Sequence, residues 1–79
     1  MNPEQIILTA LQRVHPRMLK ENVLWSDVRN DGHDMSLTDL RRHVRALEIK
    51  EGGSQVVVIK GEDATRIKIT TEGLARLAE

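Results

Sequence analysis

The sequence predicts a single α+β domain over residues 1–79, in which three helices precede a two-stranded β-ribbon and a short C-terminal helix. Three observations predict this order. An apolar stripe at helical spacing opens the chain, and a capped, arginine-rich amphipathic segment runs from Ser36 to Leu47. After Gly52-Gly53, two runs of β-branched residues then flank a short turn. With 39% hydrophobic residues and Trp25 as the one aromatic side chain, the core is expected to be small and aliphatic.

The first helix is predicted by apolar residues that recur on one helical face. The residues with this spacing are Ile6, Ile7, Ala10, Leu11 and Val14. Asn2 is suited to cap the helix, with Pro3 at the first helical position and Gln5 where a capping box places Glu or Gln. Because the residue before a proline avoids helical backbone, Pro16 is expected to end it. We therefore expect a helix from Pro3 to His15.

The next segment predicts a short extended stretch at Met18 and Leu19, followed by a second helix from Lys20 to Asn30. The apolar face of that helix is supplied by Leu24, Trp25 and Val28. The run Asn30-Asp31-Gly32 is a strong stop signal, because Gly32 can adopt the left-handed conformation that closes a helix.

The third helix is predicted by several signals that agree. Ser36 and Asp39 form the acidic variant of a capping box, and Met35 can pack on Leu40 as a hydrophobic staple. Helical spacing places one set of residues on the buried side: Leu37, Leu40, Val44 and Leu47. The opposite side carries Thr38, Asp39, Arg42, Arg45 and Ala46, with Arg41 and His43 at the borders. The outward face is therefore rich in arginine.

The two β-rich runs, Gln55–Lys60 and Thr65–Thr70, flank the turn Gly61-Glu62-Asp63-Ala64 and predict a hairpin. If Lys60 pairs with Thr65, alternation along the strands directs Val56, Val58, Ile67 and Ile69 toward the helices. The residues that then point outward are Val57, Ile59, Arg66 and Lys68.

After the hairpin, Thr71 is expected to cap a last short helix whose Leu74 and Leu77 pack back on the body of the domain. One core is expected to join residues from the first helix, the third helix and the hairpin. Its predicted members are Leu11, Leu40, Val44, Leu47 and Ile67.

Composition argues against several classes of function. The chain has no cysteine, which removes disulfides, thiolate metal sites and cysteine nucleophiles and fits a reducing compartment. No apolar run is long enough to span a membrane, and the N-terminus lacks a signal-peptide pattern, so we expect a cytoplasmic protein without membrane contact. His15, His33 and His43 lack the close pairing of a zinc site, and no nucleophile has a placed base. We therefore expect no metal, no cofactor and no enzymatic activity.

Charge and aromatic content also limit the kind of nucleic acid that fits. Twelve basic and twelve acidic residues give no net charge, so any attraction to DNA must come from the local placement of charges. Because Trp25 is the one aromatic residue, stacking of bases on aromatic side chains is nearly excluded, and single-stranded nucleic acid is disfavoured.

The third helix and the segments after it carry a family resemblance. The run Leu37-Thr38-Asp39-Leu40-Arg41-Arg42-His43-Val44-Arg45-Ala46-Leu47-Glu48, then the β-ribbon and Ile69-Thr70-Thr71-Glu72-Gly73-Leu74, resembles the recognition helix, wing and closing helix of MarR-type and PadR-type regulators. The resemblance implies a winged helix-turn-helix that binds double-stranded DNA with the third helix in the major groove and the wing along the backbone or minor groove. It implies a transcriptional regulator or a phage-type accessory protein. The residues implied to contact DNA are Thr38, Arg41, Arg42, Arg45, Lys60, Arg66 and Lys68.

Other features of the sequence keep a second interpretation open. The tip of the ribbon is Glu62-Asp63, where a DNA-contacting wing usually offers Arg or Lys, and the long dimerisation helices of those regulators are missing. Asp39 and Glu48 have the helical spacing to pair with Arg42 and Arg45, which would make the arginines a solvated helix face. The alternative is a winged-helix module that does not bind DNA and uses Val57 and Ile59 to contact a protein partner or a second copy.

Overall fold

Four helices and a three-stranded antiparallel sheet make up the computed structural model, which describes residues 2–79 as a small α+β domain. The helices are α1 (Pro3–Gln12), α2 (Glu21–Asn30), α3 (Leu37–Glu48) and α4 (Thr71–Ala78). The strands are β1 (Leu19–Lys20), β2 (Val56–Lys60) and β3 (Thr65–Ile69).

α1 begins where the sequence predicts and ends earlier. The side chain of Asn2 accepts a hydrogen bond from the backbone N–H of Gln5 (2.9 Å), which confirms the predicted cap. The predicted end at His15 is wrong, because the helix ends at Gln12. The N–H groups of Val14 and His15 donate to carbonyls only three residues back, at 3.2 Å each, so the chain tightens into turns before it reaches Pro16.

α2 and α3 follow their predicted positions within one residue at each end. Lys20 has extended backbone and occupies the N-cap position of α2 without a capping hydrogen bond from its side chain, so the helix begins at Glu21. Gly32 has φ +91°, the left-handed conformation predicted for it after α2. At the start of α3, the backbone N–H of Asp39 donates to Ser36 Oγ (3.0 Å), which confirms the predicted cap.

The β-sheet has one strand more than the sequence predicts. β2 and β3 pair from Lys60↔Thr65 to Val56↔Ile69, which confirms the predicted register. The expected two-stranded ribbon is incomplete, because β1 pairs with the other edge of β3 through Leu19↔Ile67 and gives the order β1-β3-β2. A strand of two residues is too short for an alternating pattern to reveal it, and its partner lies far away along the chain. Because β3 is the central strand of this order, β2 is an edge strand.

α4 is capped by Thr70, and the prediction of Thr71 as its cap is wrong. Thr70 Oγ1 accepts from the backbone N–H of Gly73 (3.2 Å), and Thr71 is the first helical residue. The Thr70 hydroxyl also donates to the carbonyl of Ser54 (2.6 Å), so the residue directly after β3 ties α4 to the segment before β2.

The core lies between α1, the inner sides of the other helices and one face of the sheet. All five predicted core residues are buried in it: Leu11, Leu40, Val44, Leu47 and Ile67. Leu8 is also fully buried although it lies outside the predicted stripe, because α1 packs against α2, α3, α4 and β3 and so is covered on more than one side. Within residues 2–79, no helix is both long enough and apolar enough to cross a lipid bilayer.

Candidate nucleic-acid interface

α3 turns one side to the core and leaves the other in solvent. Leu40, Val44 and Leu47 are buried, as the helical spacing predicts. The four predicted site residues of α3 are all exposed: Thr38, Arg41, Arg42 and Arg45. Their accessibility follows from the amphipathic pattern and the Ser36 cap, which together set where the helix begins and how it is rotated.

Two contacts fix α3 relative to α2. The indole N–H of Trp25 donates to the carbonyl of Met35 (2.8 Å), just before the α3 cap. One turn into α3, Nε and Nη2 of Arg41 both donate to Glu21 Oε1, at 3.1 and 2.9 Å. These contacts raise the pKa of Arg41, with the hydrogen bond to Glu21 as the main cause and the charge of Glu21 as the second. The arginine face is thus held by a tryptophan and a glutamate of α2, and no local sequence pattern connects either of them to α3.

Each arginine of α3 has a carboxylate partner. The shortest N–O distances are 2.9 Å for Arg41–Glu21, 2.6 Å for Arg42–Asp39 and 4.0 Å for Arg45–Glu48. The last two pairs confirm the pairing predicted from helical spacing. All three arginine side chains are more than half exposed. Because water screens ion pairs whose arginine is this exposed, each contributes little to stability, and another anion can replace the carboxylate at small cost.

The predicted hairpin residues lie on two different faces of the sheet. Lys60 alternates in register with Val58 and belongs to the face that covers the helices. Arg66 and Lys68 alternate with the buried Ile67 and Ile69, so they lie on the opposite face, here called the outer face. The structure therefore separates Lys60 from Arg66 and Lys68.

A cleft of about 310 Å³ lies between α3 and the helix-facing side of the hairpin. Its apolar floor is formed by Val44, Val58 and Ile67. Its polar lining consists of Glu21, Arg41, Arg45, Glu48, Lys60 and Thr65. The cleft brings Lys60 of the hairpin together with Arg41 and Arg45 of α3, whereas Thr38 and Arg42 lie outside it on the exposed side of the helix.

The outer face of the sheet combines cations with exposed apolar side chains. Val57 and Ile59 are 42% and 51% exposed. They pair across the strands with Lys68 and Arg66, and Arg66 pairs in turn with Lys20 of β1. Within residues 2–79, none of the three cations of this face forms an ion pair. At the hairpin tip, Glu62 and Asp63 are exposed.

Across residues 2–79, no group of three or more His, Cys, Asp or Glu side chains lies close enough together to hold a metal ion. The chain matches no family model, no curated protein and no solved structure.

Proposed function

We propose that this chain is a winged helix-turn-helix domain that binds double-stranded DNA, with α3 in the major groove and the β2–β3 hairpin as the wing. The four helices and three-stranded sheet are compatible with that fold. One observation carries the proposal. The core-facing side of α3 is apolar, its exposed side carries Thr38, Arg42 and Arg45, and Lys60 of the hairpin flanks that side across the cleft.

The chemistry of these side chains suits base edges and phosphates. A guanidinium group donates two parallel hydrogen bonds to the acceptor edge of guanine, and a lysine ammonium suits a phosphate oxygen. A helix whose polar side chains project from its solvent-exposed side can enter a groove while its apolar side stays packed on the core. In the proposed arrangement, Arg42 and Arg45 contact bases, and Arg41 and Lys60 contact the backbone on either side of the cleft.

The carboxylates beside the arginines determine what kind of DNA binding to expect. Glu21, Asp39 and Glu48 nearly balance the four cations of the proposed interface. The sequence-independent attraction to phosphates is therefore weak, and most of the affinity has to come from base contacts at a preferred site. Since Arg66 and Lys68 face the other way, one protomer neutralises at most about four phosphates, which gives a salt slope no steeper than about −4.

The proposal is tested by selecting duplexes from a randomised pool and comparing two single-charge variants on the selected site. Arg42→Ala should weaken binding there by about 1 to 3 kcal/mol and weaken binding to random duplex much less. Arg17→Ala is the matched control, because it removes one exposed cation outside α3 and the hairpin. The control should bind the selected site almost as tightly as the wild type.

The proposal fails if no sequence is enriched and the wild type does not bind duplex DNA even at low salt. If Arg42→Ala and Arg17→Ala lose the same affinity, the base-contacting role of α3 is wrong and only a charge effect remains.

A second candidate function is supported by the outer face. Val57 and Ile59 are exposed beside three cations that form no ion pair within residues 2–79, and adjacent exposed apolar side chains of this kind can serve as a contact surface. This face fits the alternative of a winged-helix interaction module. Two results together would favour this candidate: the wild type does not bind duplex DNA, and Ile59→Glu abolishes its self-association or its binding of a partner protein.

A further inference from the structure

We propose that two copies of this chain associate through antiparallel pairing of their β2 strands, which joins the two sheets into one six-stranded sheet. The proposal does not depend on DNA binding. It rests on the free edge of β2, on the apolar side chains along it and on a register in which no like charges meet.

β2 has an unpaired edge. The sheet order β1-β3-β2 leaves β2 with a neighbour on one side only. The N–H of Gly61 donates to the carbonyl of Ala64 (2.9 Å), and the N–H of Thr70 donates to the carbonyl of Gln55 (3.1 Å). In an antiparallel ladder, every second residue of a strand exchanges hydrogen bonds with its partner. Between Gln55 and Gly61, the residues that bond to β3 are therefore Val57 and Ile59.

The remaining strand residues direct their main-chain groups away from β3. These residues are Val56, Val58 and Lys60. No hydrogen bond from loops, caps or side chains within residues 2–79 reaches their main-chain groups. An edge strand of this kind is a template for another strand, and proteins usually protect it with proline, a bulge or inward-pointing charges. β2 has no proline and no bulge, and its one inward-pointing charge is Lys60 at the last position of the strand, so Val56 to Ile59 are left without such protection.

The side chains along β2 complement a second copy of the same strand. With a two-fold axis at Val58, two antiparallel β2 strands overlap along all five residues. Val57 then lies opposite Ile59 of the second copy on the outer face, and Lys60 lies opposite Val56. The four most exposed apolar groups of the two strands become neighbours, and no cation faces a cation across the new pair of strands.

Charge argues for this edge contact over stacking of two outer faces. Stacking would bring Lys20, Arg66 and Lys68 of one copy against the same three cations of the other. Pairing at the edge instead keeps all six cations in solvent, on both sides of a central apolar strip. One pair of five-residue strands buries an area at the low end of specific interfaces, below about 1,200 Å², so we expect a dimer that depends on concentration and exchanges rapidly.

Sedimentation equilibrium over a range of concentrations, without DNA, tests the association. The wild type should show a rising average mass, and Ile59→Glu should remain a monomer at every concentration because each dimer would bury two carboxylates in the apolar strip. In the folded monomer, the new carboxylate faces Arg66 across the strands, so the variant should fold. Ile49→Glu is the matched control, because Ile49 is 66% exposed and lies outside the sheet.

The control should associate as the wild type does. A wild type that stays monomeric at the highest concentration overturns the proposal. Equal loss of association in Ile59→Glu and Ile49→Glu also overturns it, because the contact would then not be specific to β2.

Cysteine cross-linking tests the register, since the chain has no cysteine of its own. With the two-fold axis at Val58, a mixture of Val57→Cys and Ile59→Cys chains should form the mixed disulfide faster than either chain alone forms its own, because a directly opposed pair lies within disulfide reach. Intact mass resolves the mixed product, since the two chains differ by one methylene group. If self-linked products form as fast as the mixed one, the proposed register is wrong.

Discussion

Gly73 lies at the closest approach between α4 and the sheet. The residue is buried, and its N–H donates to the Thr70 cap. A Cβ at this position would overlap the carbonyl oxygen of Gln55 and would lie 2.7 Å from Cγ1 of Ile69 and 3.2 Å from Cδ2 of Leu8. The first of these neighbours is main chain, which cannot rotate away. Gly73→Ala therefore tests whether α4 packs on the sheet as closely as the structure has it.

Two effects of Gly73→Ala have opposite signs. Alanine favours a helix over glycine by about 1 kcal/mol, which alone would stabilise the protein. Overpacking a core costs about 1 to 3 kcal/mol. The cost is expected at the upper end, because the carbonyl of Gln55 accepts from Thr70 N–H (3.1 Å) and moving it also sacrifices a hydrogen bond of about 1 kcal/mol. We expect a net destabilisation of about 1 to 3 kcal/mol, or a fall in Tm of at least about 4 °C for a domain of this size.

Thermal and urea denaturation, followed by far-UV circular dichroism, would measure this change. Ala75→Gly is the control, because Ala75 is exposed on the same helix and reports the helix preference without the contact. Ala75→Gly should lower stability by about 1 kcal/mol. If Gly73→Ala raises stability by the amount that Ala75→Gly lowers it, helix preference alone governs position 73 and the close contact with Gln55 does not exist.

Two further predictions concern charged groups. Partial burial acts to raise the pKa of Glu4, but hydrogen bonds and charges from Arg76 (2.7 Å) and Lys50 (3.1 Å) outweigh it and hold that pKa below 4.5. The free energy of unfolding that these contacts add is fully present above about pH 4.5 and is lost as the pH falls through the lowered pKa of Glu4. Glu4→Gln should therefore lower the free energy of unfolding by about 1 kcal/mol at neutral pH and by less in acid. A destabilisation by Glu4→Gln that does not change with pH in denaturation experiments would show that the charge of Glu4 is not its cause. On the DNA proposal, Glu62→Lys with Asp63→Lys should strengthen binding to any duplex and steepen the salt slope by up to about 2. Glu51→Lys with Glu79→Lys makes the same charge change at exposed sites outside the hairpin, and equal gains in the two variants, in salt-dependent titrations, would show that the tip is not near the DNA.

The features of the fold that could be predicted from sequence are those fixed within a few residues. The side chains of Asn2 and Ser36 cap their helices by accepting hydrogen bonds from the backbone N–H groups of Gln5 and Asp39, each three residues ahead. The residue types alone therefore reveal both helix starts. The hairpin register follows from the turn that pairs Lys60 with Thr65. Each of these features needs only its own segment of chain to form, which is why local patterns were enough.

Apart from the end of α1 and the exact cap of α4, the features that could not be predicted join distant segments. β1 is two residues long and becomes a strand only because β3 offers an open edge. The ion pair between Glu4 and Arg76 joins residues 72 positions apart, and that between Glu21 and Arg41 joins two helices. Spacing within a helix predicts the Arg42–Asp39 pair, but it contains no information about Glu21. Tertiary packing supplies that information.

In the candidate site as well, a local pattern predicted which way a side chain points but not which residues lie together. Alternation along β3 already directed Arg66 and Lys68 outward in the sequence-based prediction, while their grouping with Lys60 came from the family resemblance. The buried Ile67 and Ile69 support the alternation. The cations divide into a set around the cleft and a set on the outer face. The arginines of the first set have carboxylate partners, whereas within residues 2–79 none of the three cations on the outer face forms an ion pair.

The absence of net charge connects the two proposals. On the DNA proposal, a single domain whose arginines already have carboxylate partners would gain little from phosphates, so its affinity for a short DNA site would depend on a few base contacts. Pairing of two β2 strands would relate two α3 helices by a two-fold axis, as an inverted repeat in DNA requires. A second α3 would then bind the same duplex at a high effective concentration, which would raise affinity without any added charge. For a neutral domain of this size, self-association is therefore a physically economical route to tight and selective DNA binding.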